Sequence, residues 1–98
     1  MTTYFVSRHA GAIAWAQRQG MAPDHWVEHL EIARIQAGDT VVGTLPVPMA
    51  AAVCSLGARY LHLDVPLSQA QRGRELSADD LEGLGASVQQ YEVRLLLK

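Results

Sequence analysis

A small α/β domain with a mostly parallel five-stranded sheet is the fold this sequence predicts. Two observations predict it. Short apolar runs of strand-forming residues recur at Tyr4-Phe5-Val6, Thr40-Val41-Val42 and Tyr60-Leu61-His62-Leu63. Helical patterns alternate with these runs, and strands alternating with helices imply a sheet covered on both faces. The expected order is β-α-β-β-α-β-α-β, in one domain spanning residues 1–98.

Taken in order, Thr3 to Ser7 is the first strand, apolar enough to be buried on both faces. Ala10 to Gln19 is an alanine-rich helix stopped by Gly20. Ala12, Ile13, Trp15 and Ala16 can form its packing side. Gly20 to Asp24 is a turn, and His25 to Leu30 is a second, more exposed strand. Ile32 to Asp39 connects to the third strand, Thr40 to Leu45. Pro46 and Pro48 open a helix whose apolar spacing is Met49, Val53 and Leu56, with Gly57 as its stop.

Arg59 to Val65 is the fourth strand, ended by Pro66. A polar loop, Leu67 to Leu76, follows. Ser77 is the expected N-cap of a last helix, with Asp79 and Asp80 near its positive end. Leu81, Leu84 and Val88 supply the stripe of that helix. Gly83 and Gly85 each cost it about 1 kcal/mol, so it should be short or irregular. Tyr91 to Leu97 alternates apolar residues with Glu92 and Arg94, the pattern of a final edge strand.

The bulk numbers narrow the function classes. The chain has 98 residues, and 49% are hydrophobic against 18% charged. A lean charged surface of this kind favours an oligomer interface. The net charge of -2 argues against a general nucleic-acid binder. All the cations but Lys98 are arginine, which grips phosphate in a bidentate way; a codon bias toward arginine gives the same composition. One cysteine, Cys54, excludes an internal disulfide and favours a reducing compartment. The N-terminus has no signal-peptide pattern, and no apolar run reaches spanning length, so the expected location is the cytoplasm. His25 and His29 are four apart, but nothing completes a metal-ligand set, and no metal or cofactor is expected.

Three polar features should gather on the rim formed by the carboxyl ends of the strands. The first is Ser7-Arg8-His9: a hydroxyl, a fixed cation and a titratable imidazole. The second is Gly43-Thr44-Leu45-Pro46, where glycine admits close approach and a helix start offers free N–H groups to an anion. The third is the loop Arg72-Gly73-Arg74-Glu75. Each also has an ordinary structural reading. Ser7 can be only a helix N-cap, and His9 a surface residue of the first turn. Gly43 can serve helix packing, and the loop arginines can pair with Glu75 and Asp79. His62 reads as a core histidine, and Trp15 and Trp26 as core or interface. No GxGxxG and no P-loop occurs.

The wording of four segments goes further. Thr3-Tyr4-Phe5-Val6-Ser7-Arg8-His9, Gly38-Asp39-Thr40-Val41-Val42-Gly43-Thr44-Leu45-Pro46, Gly57-Ala58-Arg59-Tyr60-Leu61-His62-Leu63 and Arg72-Gly73-Arg74-Glu75-Leu76-Ser77 together resemble a family of small CRISPR-associated proteins found with type III systems. The resemblance implies a single CARF-like Rossmann domain. It also implies a ring nuclease, which binds and linearises cyclic oligoadenylate messengers, typically cyclic tetraadenylate. A homodimer with its site across the two-fold axis would suit the symmetry of such a ring.

Linearisation without a metal would proceed by attack of a ribose 2′-OH on its own phosphate. In that scheme Arg8 meets the phosphate charge, Ser7 positions ribose or phosphate, and His9 is the acid or base. Gly43, Thr44, Leu45 and Pro46 cradle adenine or phosphate, and Arg72 and Arg74 close over the ring. The rival readings are a protein that binds the same messenger without cutting it, and a regulatory subunit with no nucleotide chemistry.

Overall fold

The computed structural model describes residues 1–66 and 73–97. Its strands are β1 (Thr3–Val6), β2 (His25–Val27), β3 (Thr40–Gly43), β4 (Arg59–Asp64) and β5 (Ser87–Tyr91). Its helices are α1 (Ala10–Arg18), α2 (Val47–Ser55) and α3 (Ala78–Leu84), with a 3₁₀ turn at Ile32–Arg34 between β2 and β3. They build one sheet in the order β2-β1-β3-β4-β5. All neighbours are parallel except β5, which runs antiparallel to β4.

Alternation along the strands sends side chains into two separate cores. Phe5, Val42 and Leu63 point to one face and meet Ala12, Trp15 and Ala16 of α1 and Ala78 and Leu81 of α3. Tyr4, Val41 and Tyr60 point to the other and meet Ala50 and Val53 of α2 and Ile35 after the 3₁₀ turn. The sheet is therefore covered on both faces, which is why β1 and β3 read as unbroken apolar runs.

The connection β1-α1-β2 leaves toward one edge, and β3-α2-β4 leaves toward the other. β1 and β3 are neighbours, so the chain reverses direction between them. This is the switch point at which open α/β sheets leave a crevice beyond the strand ends.

Several expectations need correction. The last strand is Ser87–Tyr91, not Tyr91 to Leu97. Gly85, at φ 78°, closes α3 after Leu84, so Val88 moves from the helix stripe into the strand. Pairing is exhausted where Tyr91 meets Tyr60, one residue from the start of β4. Leu56 does not continue the α2 stripe; it caps the helix and is exposed, while Ala50 and Val53 carry the packing. β2 ends at Val27, and Glu28, His29 and Leu30 turn away toward the rim. No helix among the described residues is long and apolar enough to cross a membrane.

Candidate functional site

The carboxyl end of β1 is shaped by local hydrogen bonds. The Ser7 N–H continues the sheet to the Val27 carbonyl at 2.9 Å. The Ser7 hydroxyl then accepts from the His9 N–H at 3.0 Å. Ser7 is therefore not the N-cap of α1. His9 holds that position and gives the helix no side-chain cap, so its imidazole is left for other partners.

That imidazole meets Glu75. His9 Nδ1 lies 3.2 and 3.3 Å from the two carboxylate oxygens. The carboxylate accepts only, so Nδ1 carries the hydrogen and Nε2 presents its lone pair outward. Gly11 explains how a distant loop comes so close. A β-carbon at Gly11 would lie 1.8 Å from the Leu76 carbonyl oxygen. Only glycine lets the loop segment 73–77 lie on the first turn of α1, and that contact delivers Glu75 to His9.

The end of β3 is built differently. An added β-carbon at Gly43 would sit 2.7 Å from the Val6 carbonyl oxygen, so this glycine serves the β1 strand end rather than a helix. The Tyr60 hydroxyl fixes the turn that follows. It accepts from the Leu45 N–H at 2.9 Å, lies 3.2 Å from the Gly43 carbonyl, and contacts His62 Nδ1. Burial raises the Tyr60 phenol above its ordinary value, so it stays neutral in this network. His62 is half-buried, set edge-on to both Tyr60 and Tyr91, and acts as a structural histidine.

These ends border two cavities. One, of about 550 Å³, is lined by Ser7, Arg8, His9, Thr44, Leu45 and Pro46, with Glu28, His29 and Met49. The other, of about 170 Å³, joins Ser7, His9, Gly43 and Thr44 to Arg74 and Leu76. A larger groove of about 850 Å³ lies along α2 and β5 and contains none of these rim residues. Volume alone would favour that groove; the convergent hydroxyls, imidazoles and arginines favour the rim.

All the expected rim residues that are described border one cavity or the other. Arg72 lies outside the described residues. Glu75 meets His9 and Asp79 meets Arg18; among the described residues Arg74 forms no ion pair with either carboxylate. Glu28, His29 and the supporting Tyr60 were not anticipated. A histidine just past a strand end was the available signal for His29. No local pattern announces the reach of the Tyr60 hydroxyl to Gly43 and Leu45, which belong to β3 and the turn after it.

The chain matches, over residues 4–94, the family model described as "Putative CRISPR-associated protein (Cas_VVA1548)". The chain belongs to this CRISPR-associated family. No curated protein and no solved structure matches the chain.

Proposed function

We propose that this Cas-family protein is a ring nuclease, a CARF-like domain that binds cyclic tetraadenylate on the β1–β3 rim and linearises it. The observation that carries the reading is the meeting of Ser7, Arg8, His9 and Thr44 around one cavity at the switch point. A hydroxyl, a cation and a base are what a phosphodiester needs to be held and attacked. The start of α2 does not add the row of free N–H groups expected: Pro46 and Pro48 carry none, the Leu45 N–H is taken by the Tyr60 hydroxyl and the Met49 N–H by the Pro46 carbonyl. The resemblance of the four sequence segments names the messenger.

The chemistry needs no external co-reactant. The ribose 2′-OH loses its proton to His9 Nε2, whose other nitrogen is held by Glu75. The O2′–P bond forms, the P–O5′ bond breaks, and the 5′ oxygen takes a proton. The product ends are a 2′,3′-cyclic phosphate and a 5′-OH. His29 borders the same cavity and would supply that second proton. Arg8 meets the charge that builds on the phosphorane, and Ser7 and Thr44 hold the ribose and a phosphate oxygen. Arg72 and Arg74 close over the ring. Two copies facing one another across a two-fold axis would present each group twice to a symmetric ring.

One observation favours the second reading, a protein that holds the messenger uncut. The His9 side chain is 63% exposed, and proton transfer in open water is less well controlled than in a closed site.

Incubation with cyclic tetraadenylate in EDTA, followed by chromatography, decides. Linear products ending in 2′,3′-cyclic phosphate are expected at catalytic turnover. His9→Ala should reduce turnover by about 100-fold or more, the range of a general acid or base, with ring affinity within a few-fold of wild type. Tight binding without products would establish the second reading, and no binding would sink both.

A further inference from the structure

We infer that the C-terminal segment, residues 91–97, is an interaction strand for a second copy of this chain. In the described structure it is a strand by pattern that lacks a sheet. Tyr91, Val93, Leu95 and Leu97 alternate with Glu92 and Arg94, yet pairing with β4 stops at Tyr91. Leu95, Leu96 and Leu97 are 76%, 78% and 90% exposed, and Leu95 and Leu96 line the groove of about 850 Å³ along α2.

The backbone says which edge is open. The Cys54 thiol donates to the Tyr91 carbonyl and accepts from the Val93 N–H. Residues 91 and 93 thus turn their backbone groups inward to α2. Alternation in an extended chain turns those of Glu92 and Arg94 outward. An antiparallel pair of copies centred on Val93 uses that edge. Glu92 of each copy then exchanges both backbone hydrogen bonds with Arg94 of the other, and Val93 faces Val93 as a pair without hydrogen bonds. The side chains agree with this register. Glu92 stands opposite Arg94 twice, and Tyr91 opposite Leu95 twice, the self-complementarity a two-fold interface requires.

Area points to the same occupant. A stable pair needs roughly 800 Å² per partner, and a strand pair alone supplies part of it. The three leucines, with the groove's exposed Val47 and Tyr91, supply the apolar remainder. The groove also adjoins the rim. Val47 and Pro48 line one end of the groove, beside Pro46 and Met49 of the rim cavity, while the pairing itself is centred at the Cys54 end of α2. The inference does not depend on the identity of the messenger.

Sedimentation velocity of the purified protein without ligand tests it. Wild type should sediment as a dimer. Glu92→Arg places arginine opposite arginine at both crossings, and Arg94→Glu places glutamate opposite glutamate. Each should raise the dimer dissociation constant about tenfold or more, since like charges directly opposite destabilise a pair. Both positions are exposed, so the circular dichroism of the folded chain should stay unchanged, while Tm should fall only as far as loss of the dimer lowers it. An equimolar mixture of the two variants should recover the dimer, because each copy then complements the other. That mixture does not restore the ion pair between Glu92 and Arg94 within one chain, so it isolates the contact between copies. A monomeric wild type, single variants that remain dimers, or a mixture that stays monomeric would each overturn the inference. Ring binding, measured separately on the same proteins, reports on the site reading.

Discussion

In the proposed cleavage His9 depends on Glu75. The carboxylate fixes the tautomer and leaves Nε2 free to face the ribose 2′-OH. Glu75→Gln keeps a hydrogen-bonding side chain and removes the charge. A charge-assisted bond exceeds a neutral one by about 1–1.5 kcal/mol, and exposure of both groups weakens the difference. Turnover of cyclic tetraadenylate should therefore fall about three- to tenfold in steady-state assays, far less than for His9→Ala. Asp39 shows the same kind of control over stability. Its carboxylate accepts the Gln36 N–H at 2.9 Å and the Thr2 N–H at 2.9 Å, and these bonds hold its pKa below the ordinary value. A lowered folded-state pKa adds stability that is fully present above the unfolded value near 3.9. That stability fades as pH falls through the folded value. Asp39→Asn should lower Tm at pH 7, and the gap from wild type should narrow as pH drops below about 4. A gap that stays constant with pH would show that the ionised carboxylate is not the source.

The elements that position the site are joined by contacts too short for substitution. Gly43 abuts the Val6 carbonyl and Gly11 the Leu76 carbonyl, so the ends of β1 and β3 are locked together and the loop segment 73–77 is locked to α1. Gly43→Ala should cost about 1–3 kcal/mol in urea unfolding, the usual penalty for overpacking against backbone. Tyr60→Phe tests the turn after β3 more gently, since the ring stays and only the hydroxyl leaves. The Leu45 N–H then loses its acceptor, at about 1–3 kcal/mol, and ring affinity should fall with it. Tyr60→Phe binding the ring as wild type does would show that the turn is held without the hydroxyl. This network also marks where sequence reasoning runs out. β1, β3 and β4 were legible because burial on both faces writes a plain apolar run. The rim placement of Ser7, Arg8, His9 and Thr44 followed from those strand ends. The last strand was misplaced because Tyr91 to Leu97 carries a strand's alternation while β4 has no length left to pair with it. Glu75 on His9 and Tyr60 on Leu45 are contacts between distant segments, and no local pattern encodes them.

At the scale of the whole molecule, charge and site oppose each other. The chain carries a net charge of -2, yet the proposed ligand is a ring of phosphates. In the proposed complex attraction must be local, from Arg8 and Arg74 at the rim, while the overall field repels. The two act over different distances. Salt at about 0.15 M screens beyond roughly 8 Å, so it removes the long-range repulsion first. Contacts formed at the rim are screened less, because they are shorter than the screening length. Stopped-flow binding of cyclic tetraadenylate between low and physiological salt should then show an association rate that is flat or rising. Dissociation should quicken only modestly. A basic protein steered by its whole surface would behave in the opposite way, with association slowing steeply as salt rises. Steep slowing here would mean that cations outside the rim carry the binding, and the β1–β3 site would lose its claim to the ligand.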